Sequence, residues 1–201
     1  MFSNFGRKLL AAPLSKIVPL LQATGITPNG LTIIGFLLTV AIAIVLALGY
    51  FLAGGILLIF AALFDTLDGA LARQTGQVSK FGAFFDSTMD RFSEGVIFIG
   101  LMYYYAALGG HQIEIVLLGA SLLGSLMVSY TRARAEGLNI ECKGGLLQRT
   151  ERVILLVIGL VTGWMTPVLW LLAILTNFTA GQRIVEVYKR IQEVATTTPS
   201  D

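Results

Sequence analysis

The sequence predicts an all-α integral membrane protein: six transmembrane helices, an N-terminal amphipathic helix on the membrane surface, and a polar cavity open to the cytoplasm. Three observations predict it. Of 201 residues, 55% are hydrophobic and only 13% are charged, where a soluble domain carries about 25% charged residues. Residues 31–49 are uncharged and long enough to cross a bilayer alone. The basic residues segregate to one side of the predicted helices. The same composition excludes disorder, collagen, a coiled coil and a disulfide scaffold. A net charge of +2 gives no argument for a nucleic-acid partner. The single cysteine, Cys142, excludes an intrachain disulfide.

Residues 1–22 are not a signal peptide, because Arg7, Lys8 and Lys16 interrupt any apolar core. Phe2, Phe5, Leu9, Leu10, Pro13, Ile17 and Leu20 recur near the helical period, which suits a helix on an anionic membrane surface. A solvated lead-in is the competing reading. The spans are expected at about 31–49, 52–73, 82–107, 112–135, 147–164 and 166–188. Only the first is apolar throughout. The others pair an apolar run of 11–14 residues with a helical, charge-bearing continuation, so they are read as helices whose ends leave the bilayer or line a polar cavity. Together they form one domain, 23–190, followed by a flexible tail, 191–201.

With six spans, all 14 lysines and arginines fall on the side that holds both termini. The opposite loops, near 49–51, 108–113 and 163–166, hold none. By the positive-inside rule, this is a multi-pass protein of the cytoplasmic membrane with both termini and the polar site in the cytoplasm. Tyr50, Phe51, the tyrosines at 103–105 and Trp164 suit an outer aromatic belt. His111 is expected to be solvated, and Glu114 has no visible partner.

Carboxylates at membrane depth are costly and mark function. Asp65 and Asp68 are three apart, with Ala72 seven on from Asp65, so they share a helix face. Gly82, Asp86 and Asp90 step by four and share another. Gly76 between them permits an antiparallel return. Four anions cannot gather at low dielectric without cations, and Arg73 and Arg91 are too few. With no histidine or cysteine near, a hard divalent ion fits: Mg²⁺ or Mn²⁺, with carboxylates enough for two ions. Gly69 and Gly82 leave room for a bulky ligand at the backbone, or for a close helix contact.

The full spacing, D-x2-D-G-x2-A-R-x8-G-x3-D-x3-D from Asp65 to Asp90, closely resembles the signature of the CDP-alcohol phosphotransferase family. That resemblance implies a six-helix membrane enzyme, a homodimer, which moves a phosphatidyl or similar group from a CDP-linked donor such as CDP-diacylglycerol to an alcohol and releases CMP. Carried over by motif position, Asp65, Asp68, Asp86 and Asp90 bind metal, and Asp90 is also the general base. Gly69, Ala72, Arg73 and Gly82 surround the cytidine diphosphate, and Ser79, Asn29 and Thr32 complete that donor site.

A second basic set lies outside the signature. Ser129, Arg132 and Arg134 sit in SYTRARAEG, Arg149 and Arg152 in LLQRTER, and Arg183 near the end of the sixth span. Arginines at membrane depth need anionic partners, either an acceptor phosphate or lipid headgroups. DSTMDR at 86–91 and ARAEGL at 133–138 resemble the phosphatidylinositol-phosphate synthase branch of the family. In that branch, the resemblance implies, Ser129, Arg132, Arg134, Arg149, Arg152 and Arg183 hold the phosphate of myo-inositol 1-phosphate. Arg132 departs from the lysine often found at its position. The alternative acceptor is glycerol 3-phosphate. A cation transporter is a distant alternative, opposed by the apolar outward halves of the spans.

Overall fold

The computed structural model describes residues 18–19, 21–142 and 144–197, with side chains to 193. Most of the predicted surface helix at 1–22 lies outside the described residues, as do residues 198–201 of the tail. Among the described residues there is no strand. The helices, in order, are α1 (Pro28–Ala47), α2 (Phe51–Thr75), α3 (Lys80–Leu108), α4 (Gln112–Glu136), α5 (Arg149–Thr162) and α6 (Met165–Thr197).

Four of these are long and apolar enough to cross a membrane: Pro28–Ala47, Phe51–Thr75, Gln112–Glu136 and Met165–Glu193. The sequence predicts six spans. The other two helices fall short for separate reasons. In α3, Arg91 and Glu94 dilute the apolar run at one end and three tyrosines, 103–105, dilute it at the other. α5 has only 14 residues, against about 20 for a perpendicular span.

Helix ends follow local chemistry. α1 begins at Pro28, ahead of the expected residue 31, because Thr27 caps it: its side chain accepts from the Gly30 N–H at 3.1 Å, and Pro28 takes the first helical position, where no N–H is needed. α2 stops at Gly76, whose φ of 68° is left-handed and open to glycine at little cost. Ser79 opens α3 by accepting from the Gly82 N–H at 2.9 Å. α6 continues past residue 188 into the stretch read as a tail, since no glycine or proline interrupts it, and Arg190 pairs with Glu186 one turn back at 3.0 Å.

The chain divides into two compact units, one ending at Tyr104 and the other beginning at Tyr105. In the first, Leu31, Ala70 and Leu71 pack with Val18 into a buried cluster that joins α1 to α2. α1 also meets α3 closely: a side chain at Gly100 would strike the Ala43 carbonyl oxygen. In the second unit, α4 and α6 pack through small and polar residues, as membrane helices do. A side chain at Gly124 would collide with Thr176, and Asn177 donates to the Ala120 carbonyl at 3.0 Å. Two sequence expectations are corrected there. Glu114 has partners: it accepts from Thr166 at 2.9 Å and lies 3.4 Å from the His111 ring nitrogen. His111 in turn packs against the Tyr105 ring, so it is not simply solvated.

Candidate active site

The first unit gathers the motif carboxylates. Asp65 stands on α2, and Asp86 and Asp90 on α3. Their oxygens lie within 4.8 Å of one another, and all three side chains are half-buried. The turn at Gly76 and the cap at Ser79 return α3 against α2, so the face bearing Asp65 meets the face bearing Asp86 and Asp90. Asp90 also pairs with Arg91 at 3.3 Å.

Asp68 stands apart from that group of three. It is 8% exposed. It accepts from the Thr32 hydroxyl of α1 at 2.7 Å and from the Gly69 N–H at 2.5 Å. It therefore ties α1 to the motif helix.

A cavity of about 300 Å³ adjoins these acids. Asn29, Thr32, Gly69, Ala72, Arg73, Ser79 and Gly82, all seven donor-site residues expected from the resemblance, line it together with Asp68 and Asp86. The two glycines form close walls. A Cβ at Gly82 would sit 3.0 Å from the Ser79 hydroxyl and 3.4 Å from the Asn29 amide oxygen, and one at Gly69 would sit 3.2 Å from the Arg73 guanidinium. Sequence reasoning missed Gln77 and Val78, which also line the cavity. They fall in the unspecified eight-residue gap of the motif, where spacing carries no signal.

The donor set suits a hard divalent cation. Three half-buried carboxylates within ligand range repel one another strongly unless a cation sits among them, and all their donors are oxygen. No histidine or thiol belongs to the group, which disfavours zinc or copper.

The second unit holds the other basic residues. Arg152 is 3% and Arg183 4% exposed. Arg132 pairs with Glu136 at 2.8 Å. Ser129 is half-buried one turn before Arg132, its hydroxyl donating to the Ser125 carbonyl at 3.2 Å. Arg134 is exposed, two residues on from Arg132 and so on another face of α4. Arg149 opens α5 and is half-buried. Arg183 donates from Nε to the Gly144 carbonyl at 2.9 Å and from Nη1 to the Val128 carbonyl.

The sequence profile of the CDP-alcohol phosphatidyltransferase family matches residues 25–180. The chain belongs to this family. It is a membrane-protein transferase of phospholipid synthesis, and the aspartate cluster is its candidate divalent-metal site. Among phosphatidyltransferases, the chain is 42% identical over 188 residues to the archaetidylinositol phosphate synthase of Pyrococcus horikoshii, covering 92% of this chain and 96% of that one. It is also similar to the crystal structure of Mycobacterium tuberculosis phosphatidylinositol phosphate synthase with CDP-DAG bound. The TM-score is 0.83 at 33% identity, covering 87% of this chain and 93% of that one. The same mycobacterial enzyme in complex with manganese and citrate gives a TM-score of 0.84 at 33% identity, with 87% and 88% covered.

Proposed function

We propose that the protein transfers a phosphatidyl group, or its archaetidyl counterpart, from a CDP-linked lipid to myo-inositol 1-phosphate, giving the corresponding phosphoinositide and CMP. The observation that carries this reading is the gathering of Asp65, Asp86 and Asp90 within 4.8 Å beside a glycine-walled cavity. Asp65, Asp68, Asp86 and Asp90 hold Mg²⁺ or Mn²⁺, two ions in all. Bound there, the ions would neutralise the pyrophosphate and the departing CMP.

The chain's own residues do the rest. Asn29, Thr32, Gly69, Ala72, Arg73, Ser79 and Gly82 hold the cytidine diphosphate, the glycines admitting it to the backbone and Arg73 meeting phosphate charge. Asp90 takes the proton of the acceptor hydroxyl. That oxygen bonds to the lipid-side phosphorus as the bond from this phosphorus to the CMP oxygen breaks. Ser129, Arg132, Arg134, Arg149, Arg152 and Arg183 hold the acceptor's phosphate. Support comes from Arg152 and Arg183, 3% and 4% exposed, and from Ser129 one turn before Arg132 on α4; a guanidinium's planar fork suits phosphate.

In the membrane, all six helices span. The segregation of the basic residues supports a cytoplasmic side for both termini and the site. A surface helix at 1–22 precedes the 23–190 domain, and the enzyme works as a homodimer.

Thin-layer analysis of radiolabelled product tests the reading. Purified protein in vesicles receives Mg²⁺, CDP-diacylglycerol or CDP-archaeol, and one of four acceptors: inositol 1-phosphate, glycerol 3-phosphate, serine or free inositol. Inositol 1-phosphate should release CMP fastest. Preference for glycerol 3-phosphate would move the protein to phosphatidylglycerophosphate synthesis. Metal-dependent ion flux with no CMP from any acceptor would replace the enzyme reading with a transporter.

A further inference from the structure

The segment before α5 is fastened to α6 by side chains rather than by secondary structure. Glu186 accepts the Gly144 N–H at 3.1 Å, and Arg183 donates to the Gly144 carbonyl at 2.9 Å. Both backbone groups of Gly144 are thus held by residues three apart on α6. Gln182 then accepts the Leu146 N–H at 3.3 Å, and Thr179 accepts the Leu147 N–H at 3.2 Å. Thr179, Gln182, Arg183 and Glu186 share one face of the helix at i, i+3, i+4 and i+7. The segment 144–147 therefore runs antiparallel along that face and leads into Gln148, the N-cap of α5.

Both glycines of this segment are needed. A side chain at Gly144 would strike the Glu186 carboxylate, and one at Gly145, whose φ is 124°, would lie 2.6 Å from Thr179. Glu186 is itself held in place: Arg190 pairs with it at 3.0 Å, and Cys142 reaches it at 3.7 Å. Arg190 also lies 3.7 Å from Glu141 at the start of the segment.

We infer that Glu186 is a positioning residue for acceptor binding: by holding the Gly144 N–H it fixes the segment that sets the first turn of α5, and so the places of Arg149 and Arg152. It touches no substrate. This inference rests on the acceptor reading above, and its test separates the two.

The test compares wild type with Glu186→Ala and Glu186→Gln, reading KM for each substrate and the rate at which a maleimide labels Cys142. Cys142 is the only cysteine in the chain and is 0% exposed, so its labelling reports release of the segment without reference to any acceptor. Glu186→Ala should raise the acceptor KM about tenfold, leave the donor KM within about twofold, and speed labelling at least about tenfold. Glu186→Gln keeps an acceptor for the Gly144 N–H and should restore most of both. Faster labelling with an unchanged acceptor KM would overturn the positioning role. An equal rise in both KM values with a fall in kcat would reduce Glu186 to general stability and also overturn it. Failure of wild type to use inositol 1-phosphate would instead count against the acceptor reading.

Discussion

Asp90 is the acid with the most demanding assignment, because it is read both as a metal ligand and as the base. Arg91, next to it in sequence, lies 3.3 Å away. Asp90→Asn keeps the shape and removes the basicity. Steady-state CMP release should fall by about 10²–10⁴-fold, with circular dichroism and thermal midpoint unchanged; activity within about tenfold of wild type would remove Asp90 from the chemistry. Cys142 carries a different expectation. Burial, and then the Glu186 carboxylate beside it, push its thiol above the ordinary value near 9. Below that pH both folded and unfolded chains keep the proton, and the stabilisation is complete. Above it the unfolded chain releases a proton that the folded chain retains, so stability falls as pH rises, by up to about 1.4 kcal/mol per pH unit. Unfolding curves in detergent should show this loss as pH rises above about 9 in wild type and not in Cys142→Ser.

What could be read ahead at this scale depended on where a residue's partner comes from. The gaps between Asp65, Asp86 and Asp90 translate directly into helix faces, and those three acids meet. Asp68 shares a face with Asp65 by the same arithmetic, yet its partner is Thr32, 36 positions away on α1. No spacing rule reaches that far. Arg183 illustrates the other limit: it is recognisable as a cation needing an anion, but its Nε and Nη1 bind backbone carbonyls, which leave no trace in side-chain pattern.

Among the elements, α4 and α6 approach most closely where Gly124 faces Thr176 and Asn177. In hydrocarbon, such contact depends on packing and interhelical hydrogen bonds, since the lipid offers as much apolar contact as a neighbouring helix does. Gly124→Leu should force the helices apart and break the Asn177 bond to Ala120, costing about 1–3 kcal/mol. A thermal-shift measurement in detergent would read this as a clear drop in midpoint, and an unchanged midpoint would mean the contact is slack. Helix existence was legible from apolar runs, and caps such as Thr27 and Gly76 from residue type. The extension of α6 to Thr197 was not, because the polar stretch after residue 188 has no apolar run to mark it.

For the whole molecule, the claim to check is sidedness. The basic-residue count assigns the loop at 108–113 and the turn at 76–79 to opposite faces. In a Cys142→Ser background, His111→Cys should react with a membrane-impermeant maleimide in intact cells. Gln77→Cys should react only after permeabilisation. Labelling of both from outside would mean that α3, the one helix between the two sites, does not span. The apolar runs and their charged continuations predict six crossings, and charge segregation supports that number, whereas four helices among the described residues qualify by length and composition. The shortfall falls on α3, which carries Asp86 and Asp90, and on α5, which carries Arg149 and Arg152.

The turn from Gly76 to Ser79 bears on the order in which the protein is made. It joins the two helices that supply Asp65, Asp86 and Asp90 with only four residues between them, so closing it loses little chain entropy. All three acids, and every residue lining the adjoining cavity, lie before residue 91. The aspartate cluster can therefore take shape on a local hairpin while the ribosome is still delivering α4 to α6.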